Sequence, residues 1–210
     1  MSADLPASRR LVLLRHGQTA WNAQRRIQGQ LDAELDDTGH AQAAAVAQEI
    51  AELAPVLLWS SDSVRARQTA AYVSKETGLE PTYDARLREH HLAEREGLTH
   101  TEYAAVAPEE FAEFIRGNFD AVPGAETAAV VSERVVAAVT DVLESLAPGG
   151  LAVVVSHGMA IRDAVPVLLG RPVEDRELFL GLGNCAWVEL EQPVPGASLR
   201  LRAYNRAVRG

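Results

Sequence analysis

The sequence predicts an α/β fold, a three-layer α/β/α sandwich with a mostly parallel central sheet. Two short apolar runs, residues 11–14 and 151–155, each end abruptly in polar residues and are rich in branched side chains. Runs of this length suit strands that are buried on both faces. Strands alternate with helical patterns along most of the chain, which is typical of α/β domains. Because no linker or repeat divides the 210 residues, we predict a single domain spanning residues 1–210.

The first half of the chain contains three predicted strands and three predicted helices. Thr38 is the predicted N-cap of the second helix, in which apolar residues recur at helical spacing, and Gly78 is expected to end the third. In order, these elements are a strand at 11–14, helices at 17–23 and 39–53, a strand at 56–59, a helix to about 75 and a strand at 80–83.

The second half is predicted to add one more parallel strand and a hairpin. Pro108 separates two short helices, and Pro166 is expected to kink or break the helix that comes after the strand. The CAWVEL and SLRLRAY segments, which PVPG separates, are typical of a hairpin at the sheet edge. In order, the elements are two short helices within 99–119, a helix at 126–146, a strand at 151–155, a helix to about 169 and the hairpin from 185.

Composition and charge exclude several classes of function. The formal net charge is -9, which argues against general nucleic-acid binding, because such proteins usually carry a basic surface. No run reaches the roughly 18 apolar residues of a membrane span, and the N-terminus lacks the apolar centre of a signal peptide. We therefore expect a cytoplasmic protein with no membrane partner. Cys185 is the only cysteine, which excludes an internal disulfide and a cysteine-rich metal site.

Charged and imidazole side chains come directly after three of the predicted strands. Arg15 and His16 follow the first strand, Arg65 lies beyond the turn after the second, and His157 follows the strand at 151–155. The carboxyl ends of parallel strands lie along one rim of a sheet, where open α/β folds bind ligands. These side chains predict an anion site, because a few converging arginines dominate the local field even in an acidic protein.

Four motifs, in this order, carry a family resemblance. They are RHGQTxxN at 15–22, SSDSVRARQTA at 60–70, LRE at 87–89 and SHGMAIR at 156–162. Together they resemble the motif series of the histidine phosphatase superfamily, in its phosphoglycerate mutase-like branch, and they extend over nearly the whole chain. The resemblance implies a phosphoglycerate mutase-like fold and phosphoryl transfer without a metal or a cofactor.

The resemblance also implies a role for each motif residue. His16 is the nucleophile that becomes a phosphohistidine, while Arg15, Arg65 and His157 hold the phosphoryl oxygens. A neutral imidazole can attack phosphorus, and fixed positive donors stabilise the charge on the transferring group. Glu89 donates a proton to the leaving alkoxide and later activates water, as a general acid and base.

Further residues are candidates for contacts with the substrate. The LAEREG segment departs from the glycine and tryptophan that the family commonly has there, so Glu94 or Glu96 stays an alternative to Glu89 as the acid. His90 and His91 either contact the substrate, share the proton transfer, or are ordinary surface histidines. The predicted substrate-binding residues are Gly17, Thr19, Asn22, Gln28, Gly29, His91 and Gly158.

Hydrolysis of a small phosphomonoester is the function that the sequence favours. Only 37 positions separate Glu89 from Glu126, whereas mutases of this family usually carry a long insertion there. A short cap-like segment at about 90–125 would let water reach the phosphohistidine. Two alternatives stay open, a cofactor-dependent phosphoglycerate mutase and a non-catalytic phosphate-binding regulatory protein. The signature of the regulatory protein would be the loss of His16, Arg65 or His157, and all three are present.

A narrower resemblance suggests the substrate class. QGQLDAEL at 28–35, the LREHHL and GLTH pair, and GLGNCAW at 181–187 are similar to segments of glucosyl-3-phosphoglycerate phosphatases. That resemblance implies glucosyl-3-phosphoglycerate as the metabolite, with a phosphoglycerate or a sugar phosphate as further options. The family resemblance favours a homodimer, and the sequence itself leaves the oligomeric state open.

Overall fold

Six strands form one sheet within residues 8–208, which the computed structural model describes. They are β1 (Arg9–Arg15), β2 (Leu57–Ser60), β3 (Thr82–Tyr83), β4 (Leu151–Ser156), β5 (Trp187–Gln192) and β6 (Arg200–Arg206). Their order across the sheet is β3-β2-β4-β1-β5-β6. The first four strands in this order are parallel, whereas β5 and β6 form the predicted antiparallel hairpin.

Helices follow most of the parallel strands, as the alternation in the sequence predicts. The α-helices are α1 (Ala20–Ala23), α2 (Asp37–Glu52), α3 (Val64–Thr77), α4 (His100–Val106), α5 (Pro108–Ile115), α6 (Ala128–Ser145) and α7 (Gly158–Leu168). Gly78 ends α3 in the left-handed conformation, with a φ of 72°, which glycine adopts without steric cost.

Successive residues of β1 face opposite sides of the sheet, and helices cover each side. Leu11 and Leu13 pack with the apolar faces of α6 and α7, whereas Val12 and Leu14 pack with α2 and α3. All six residues of β4 are buried, as expected for a central strand that is covered on both faces. The predicted three-layer α/β/α sandwich is confirmed.

The predicted start of α2 is wrong by two residues, and the break that was one of the two expectations for Pro166 does not occur. α2 begins two residues earlier than predicted, because the Asp36 side chain, and not that of Thr38, accepts the capping hydrogen bond from the Gly39 N–H at 2.8 Å. Both residue types cap helices well, so the sequence does not distinguish them. Pro166 does not break α7, which continues to Leu168, although a proline has no N–H to bond the carbonyl oxygen of Arg162 one turn earlier.

Two glycines allow the loop after β1 to pass very close to the start of α2. A Cβ atom built on Gly39 would lie 1.9 Å from the Gln18 carbonyl oxygen, and one on Gly17 would lie 2.6 Å from the Gly39 carbonyl oxygen. Only glycine permits so close an approach of two backbones. The contact fixes the backbone directly after His16 against α2.

We expect Gly39→Ala to destabilise the protein by about 1–3 kcal/mol, the usual cost of overpacking a tight contact. The better helix propensity of alanine offsets roughly 1 kcal/mol at most. Urea unfolding measures the change in the free energy of unfolding. Gly181→Ala is the matched control, since a Cβ atom there has no neighbour within 4 Å. Equal stability of the two variants would contradict the prediction.

A third apolar cluster lies in the segment predicted to cover the site. The predicted pair of short helices is confirmed as α4 and α5, and Pro108 is the first residue of α5. Tyr103, Phe114 and Phe119 form this cluster together with Leu92. The rings of Phe114 and Phe119 stack with their centroids 4.8 Å apart. These aromatic side chains therefore give the 90–125 segment a small core, which Ile27 from the loop after α1 joins.

Among residues 8–208, no helix is both long enough and apolar enough to cross a membrane. The segment for which the sequence predicts no signal peptide lies mostly in residues 1–7, outside the described part of the chain.

Candidate active site

The carboxyl ends of the parallel strands bring the predicted side chains together at one rim. The imidazole rings of His16, after β1, and His157, after β4, have centroids 5.2 Å apart. A cavity of about 220 Å³ opens beside them, and Arg15, His16, Arg65 and Glu89 all line it. The convergence follows from the parallel register, because Arg15 pairs with Ser156 directly across the two strands.

The His16 ring is held with one nitrogen free of hydrogen. Its Nδ1 lies 2.7 Å from the Gly17 carbonyl oxygen, which can only accept, so Nδ1 carries the hydrogen in the neutral ring. Its Nε2 accepts a hydrogen bond from Arg65 Nε at 3.3 Å. Burial, followed by the charges of Arg65 and Arg15, lowers the pKa of His16 well below its ordinary value of 6.5. The ring is therefore neutral at pH 7, with a lone pair on Nε2.

Arg65 is a buried cation that a loop surrounds. Its side chain donates to the carbonyl oxygens of Gly29 at 2.7 Å and Leu31 at 2.8 Å. Burial lowers the pKa of Arg65 to about 10, so the guanidinium is still charged at neutral pH. Because three of its donors are already engaged, its position beside His16 is fixed before any ligand binds.

Two further side-chain nitrogens at the rim have no partner among the described residues. Arg15 donates to the Leu182 carbonyl through Nη1, but its buried Nε has none. His157 Nε2 lies 2.9 Å from Ser61 Oγ, and its buried Nδ1 has none. Burial, followed by the charges of Arg65 and His16, lowers the pKa of His157 well below its ordinary value. Unsatisfied buried donors are costly, which is typical of a site that awaits acceptor oxygens.

The Glu89 carboxylate is anchored at the N-terminus of α7. It accepts hydrogen bonds from the backbone N–H groups of Met159 at 3.1 Å, Ala160 at 2.9 Å and His90 at 3.0 Å. Helix N-termini favour negative charge. Glu89 lines the cavity, so its carboxylate reaches the same space as His16.

The two alternative carboxylates lie elsewhere. Glu94 is exposed, whereas Glu96 accepts hydrogen bonds from the backbone N–H groups of Gln30 and Leu92 and so joins two loops. Neither residue lines the cavity. The geometry therefore favours Glu89 as the acid.

Some predicted substrate contacts have other roles. The Gly17 N–H donates to Thr69 Oγ1 at 3.1 Å, and Thr19 is a buried N-cap of α1 whose hydroxyl group bonds to Asn22. The His91 side chain is exposed and lies outside the cavity lining. Gly158 makes room for Arg15, since a Cβ atom on it would lie 3.3 Å from Arg15 Nε.

Three other predicted residues do line the cavity, namely Asn22, Gln28 and Gly29. Gly29 also contributes the carbonyl oxygen that binds Arg65. Gln28 is buried, and its Oε1 has no partner among the described residues. These groups are therefore placed to contact a ligand beyond its phosphate.

His90 is neither a surface residue nor a cavity residue. Its side chain is fully buried, with Nε2 2.8 Å from Asp163 Oδ2 and Nδ1 3.2 Å from the Glu126 carbonyl oxygen. Burial alone would lower the pKa of His90, but the hydrogen bond to Asp163 and the charge of Glu89 raise it above its ordinary value. His90 thus fixes the backbone beside Glu89.

Sequence reasoning missed several residues that complete the site. Ser61 follows β2 at the same rim, so the strand-end rule would have found it. Asn184 donates to the His16 carbonyl oxygen at 3.2 Å and also bonds to Asn22, but no local pattern indicates this long-range contact. His100, in the 90–125 segment, and Met159, in α7, also line the cavity.

The two low-pKa histidines make stability depend on pH. A histidine that is neutral in the folded protein gains a proton on unfolding below its ordinary pKa of 6.5, so the unfolded state binds more protons there. Stability therefore falls as pH decreases below about 6.5, by roughly 1.4 kcal/mol per pH unit for each such group. His90 opposes this trend, since its raised pKa contributes stability that is fully present below 6.5 and is lost as pH rises through its folded value.

We expect His16→Asn to flatten the decrease in stability between pH 7 and pH 5, because it removes one of the two groups that stay neutral. Urea unfolding in phosphate-free buffer measures the free energy of unfolding at each pH. The exposed His91→Asn is the matched control, and it should keep the slope of the unmodified protein. An unchanged slope in His16→Asn would contradict the prediction.

Comparisons with known proteins agree with this geometry. Residues 11–205 match the histidine phosphatase superfamily (branch 1). The chain is 39% identical to a glucosyl-3-phosphoglycerate phosphatase from Mycolicibacterium vanbaalenii over 188 residues, which cover 87% of this chain and 84% of that protein. It is 37% identical to a probable phosphoglycerate mutase from Citrobacter koseri, over 84% of this chain and 81% of that one.

Solved structures show the same relationship. A mycobacterial glucosyl-3-phosphoglycerate phosphatase in complex with VO3 is similar with a TM-score of 0.87 and 38% identity, over 95% of this chain and 100% of that one. A structure described as mycobacterial hydrolase 1 is similar with a TM-score of 0.89 and 36% identity, over 96% and 100% of the two chains. The chain therefore belongs to branch 1 of the histidine phosphatase superfamily.

Proposed function

We propose that this enzyme hydrolyses glucosyl-3-phosphoglycerate to glucosylglycerate and inorganic phosphate through a phosphohistidine on His16. The observation that carries the proposal is the hydrogen-free Nε2 of a neutral His16, which accepts only a 3.3 Å hydrogen bond from the charged Arg65, in a cavity that Glu89 also lines. This arrangement places a nucleophile, a fixed cation and a carboxyl group around one small space, as phosphoryl transfer requires.

The reaction takes two steps. In the first, His16 Nε2 attacks phosphorus, the bond between phosphorus and the ester oxygen breaks, and the Glu89 carboxyl group gives its proton to the leaving alkoxide. In the second, Glu89 takes a proton from a water molecule that attacks phosphorus, and the bond between phosphorus and Nε2 breaks. Glu89 loses a proton in the first step and gains one in the second, so its protonated form is restored at the end of each cycle.

The rim donors stabilise the transferring group. Arg15 Nε and His157 Nδ1, which have no protein partner among residues 8–208, donate to phosphoryl oxygens. His157 does so in the tautomer in which Ser61 Oγ donates to its Nε2, since the hydrogen of the neutral ring then lies on Nδ1. Donors held in place before the reaction stabilise the developing charge without reorganisation.

The substrate assignment draws on the relatives and on the rest of the cavity. Named relatives that are 38–39% identical are glucosyl-3-phosphoglycerate phosphatases. Arg26 and Gln28 line the cavity beyond the phosphate donors, where they suit a carboxylate and hydroxyl groups. We assign the 90–125 segment as a cap, because Phe114 and Phe119 from it form part of the cavity wall.

Phosphate release from glucosyl-3-phosphoglycerate, 3-phosphoglycerate and p-nitrophenyl phosphate tests the proposal. We expect the glucosylated ester to have the highest kcat/KM, and hydrolysis to persist in EDTA, because every proposed step uses side chains of this chain. Conversion of 3-phosphoglycerate to 2-phosphoglycerate that depends on bisphosphoglycerate would establish the mutase alternative instead. Failure to release phosphate from any ester would support a phosphate-binding regulatory protein.

A further inference from the structure

A second, larger cavity adjoins the cavity that His16, Arg65 and Glu89 line, here called the phosphate cavity. Its volume is about 450 Å³, and four residues line both cavities, namely His100, Phe114, Phe119 and Met159. These four side chains therefore border both spaces. A phosphoester whose alcohol extends past these side chains would place its distal part in the second cavity.

The second cavity combines apolar surfaces with a few polar groups. Phe179, Leu180 and Ile115 contribute apolar surface, while Arg162 and Glu177 contribute a guanidinium and a carboxylate. Small-molecule sites are typically lined in this way, with apolar and aromatic walls and a small number of polar groups that fix orientation.

Arg162 is unusual because it is buried without an ion-pair partner. It is 8% exposed, and its Nε donates to the carbonyl oxygens of Arg176 and Phe179 at 3.2 and 2.9 Å. Among the salt bridges found between residues 8 and 208, none involves Arg162. Buried arginines are rare unless they are paired. The terminal N–H groups of this guanidinium therefore remain largely available to a ligand in the cavity.

The surroundings of Arg162 leave its Nη1 without a strong acceptor. Nη1 lies 3.9 Å from Met159 Sδ, a weak acceptor. Gly117 faces the same atom, and a Cβ atom built on it would lie only 2.2 Å from Nη1. With a φ of +80°, Gly117 also has a backbone conformation that glycine favours. Because Gly117 has no side chain, the guanidinium of Arg162 can lie directly beside it.

We propose that the second cavity is a subsite for a sugar ring on the alcohol of the phosphoester, with Arg162 donating to its hydroxyl oxygens and Glu177 accepting from a hydroxyl group. A sugar presents both donors and acceptors at its edge, which matches this pair of side chains. A purely anionic group would be repelled by Glu177. The C–H faces of the ring suit the apolar surfaces of Phe179 and Leu180. The inference rests on the proposed function, since it adds the position of the glucosyl group.

Cavity-filling variants test the subsite. Leu180→Trp and Ile115→Trp place a larger side chain in the second cavity at exposed positions. We expect each to lower, by about tenfold, the ratio of kcat/KM for glucosyl-3-phosphoglycerate to that for 3-phosphoglycerate. Leu178→Trp is the matched control, because Leu178 is similarly exposed but does not line the cavity, and it should leave this ratio unchanged.

Arg162→Lys tests the polar contact separately. Lysine keeps the charge but loses the planar fork, so we expect the same ratio to fall, mainly through KM for the glucosylated ester. An equal loss for both esters would mean that Arg162 is only structural. Unchanged ratios in both tryptophan variants would overturn the subsite while leaving the proposed function intact. A wild-type protein that hydrolyses 3-phosphoglycerate but not its glucosylated form would instead refute the proposed substrate.

Discussion

Replacing His16 by alanine is expected to lower phosphate release by about 10⁴-fold or more, the scale seen when a covalent nucleophile is removed. Arg15 and Arg65 cannot compensate, because a guanidinium supplies no lone pair to attack phosphorus, and the Glu89 carboxylate is held by the backbone N–H groups of His90, Met159 and Ala160. The measurement is phosphate release from p-nitrophenyl phosphate, together with trapping of labelled phosphate on the protein under alkaline conditions.

His91→Ala is the control for the His16 variant. It removes an exposed imidazole outside the cavity, and both release and trapping should stay as in the unmodified protein. Equal phosphate release by His16→Ala and the unmodified protein would disprove the nucleophile assignment. Trapped label on the His16→Ala protein would show that another residue carries the phosphoryl group.

Replacing Glu89 by glutamine is expected to lower kcat/KM by about 10²- to 10⁴-fold, the usual contribution of a general acid and base. The amide keeps one oxygen, which can still accept from the Ala160 and His90 N–H groups, but it loses the acceptor for the Met159 N–H group and cannot transfer the proton. The loss should be larger for 3-phosphoglycerate than for p-nitrophenyl phosphate, because the nitrophenolate leaves without needing protonation.

Glu94→Gln is the matched control, since it makes the same change at an exposed carboxylate outside the cavity. It should leave both esters unaffected. An equal loss of kcat/KM for the two esters in Glu89→Gln would contradict proton donation by Glu89. A loss confined to Glu94→Gln would identify Glu94 as the general acid.

Much of the fold and of the rim can be predicted from the sequence by simple rules. The apolar runs predict buried strands, and parallel strands place their carboxyl ends together, so Arg15, His16 and His157 had to meet once the order of strands was right. Arg65 was less certain, because a helix residue can face several directions. It reaches His16 because α3 begins immediately beyond the same rim.

Other features depend on tertiary contacts that no local pattern encodes. His90 and His91 are adjacent, yet one is buried against Asp163 and the other is exposed. The Leu182 carbonyl that binds Arg15 is 167 positions away in the chain. Such pairings depend on how distant segments of the chain pack against one another, and the residues of the turns alone do not determine this packing.

The loop that surrounds Arg65 has an energetic consequence for the whole molecule. The carbonyl oxygens of Gly29 and Leu31 hold this cation in place in the ligand-free protein, beside a second arginine and two uncharged imidazoles. The unfavourable electrostatic energy of bringing these groups together therefore lowers the stability of the folded protein. It does not have to be supplied again at each turnover. Substitutions that relieve this repulsion would therefore yield an enzyme that is more stable but less active.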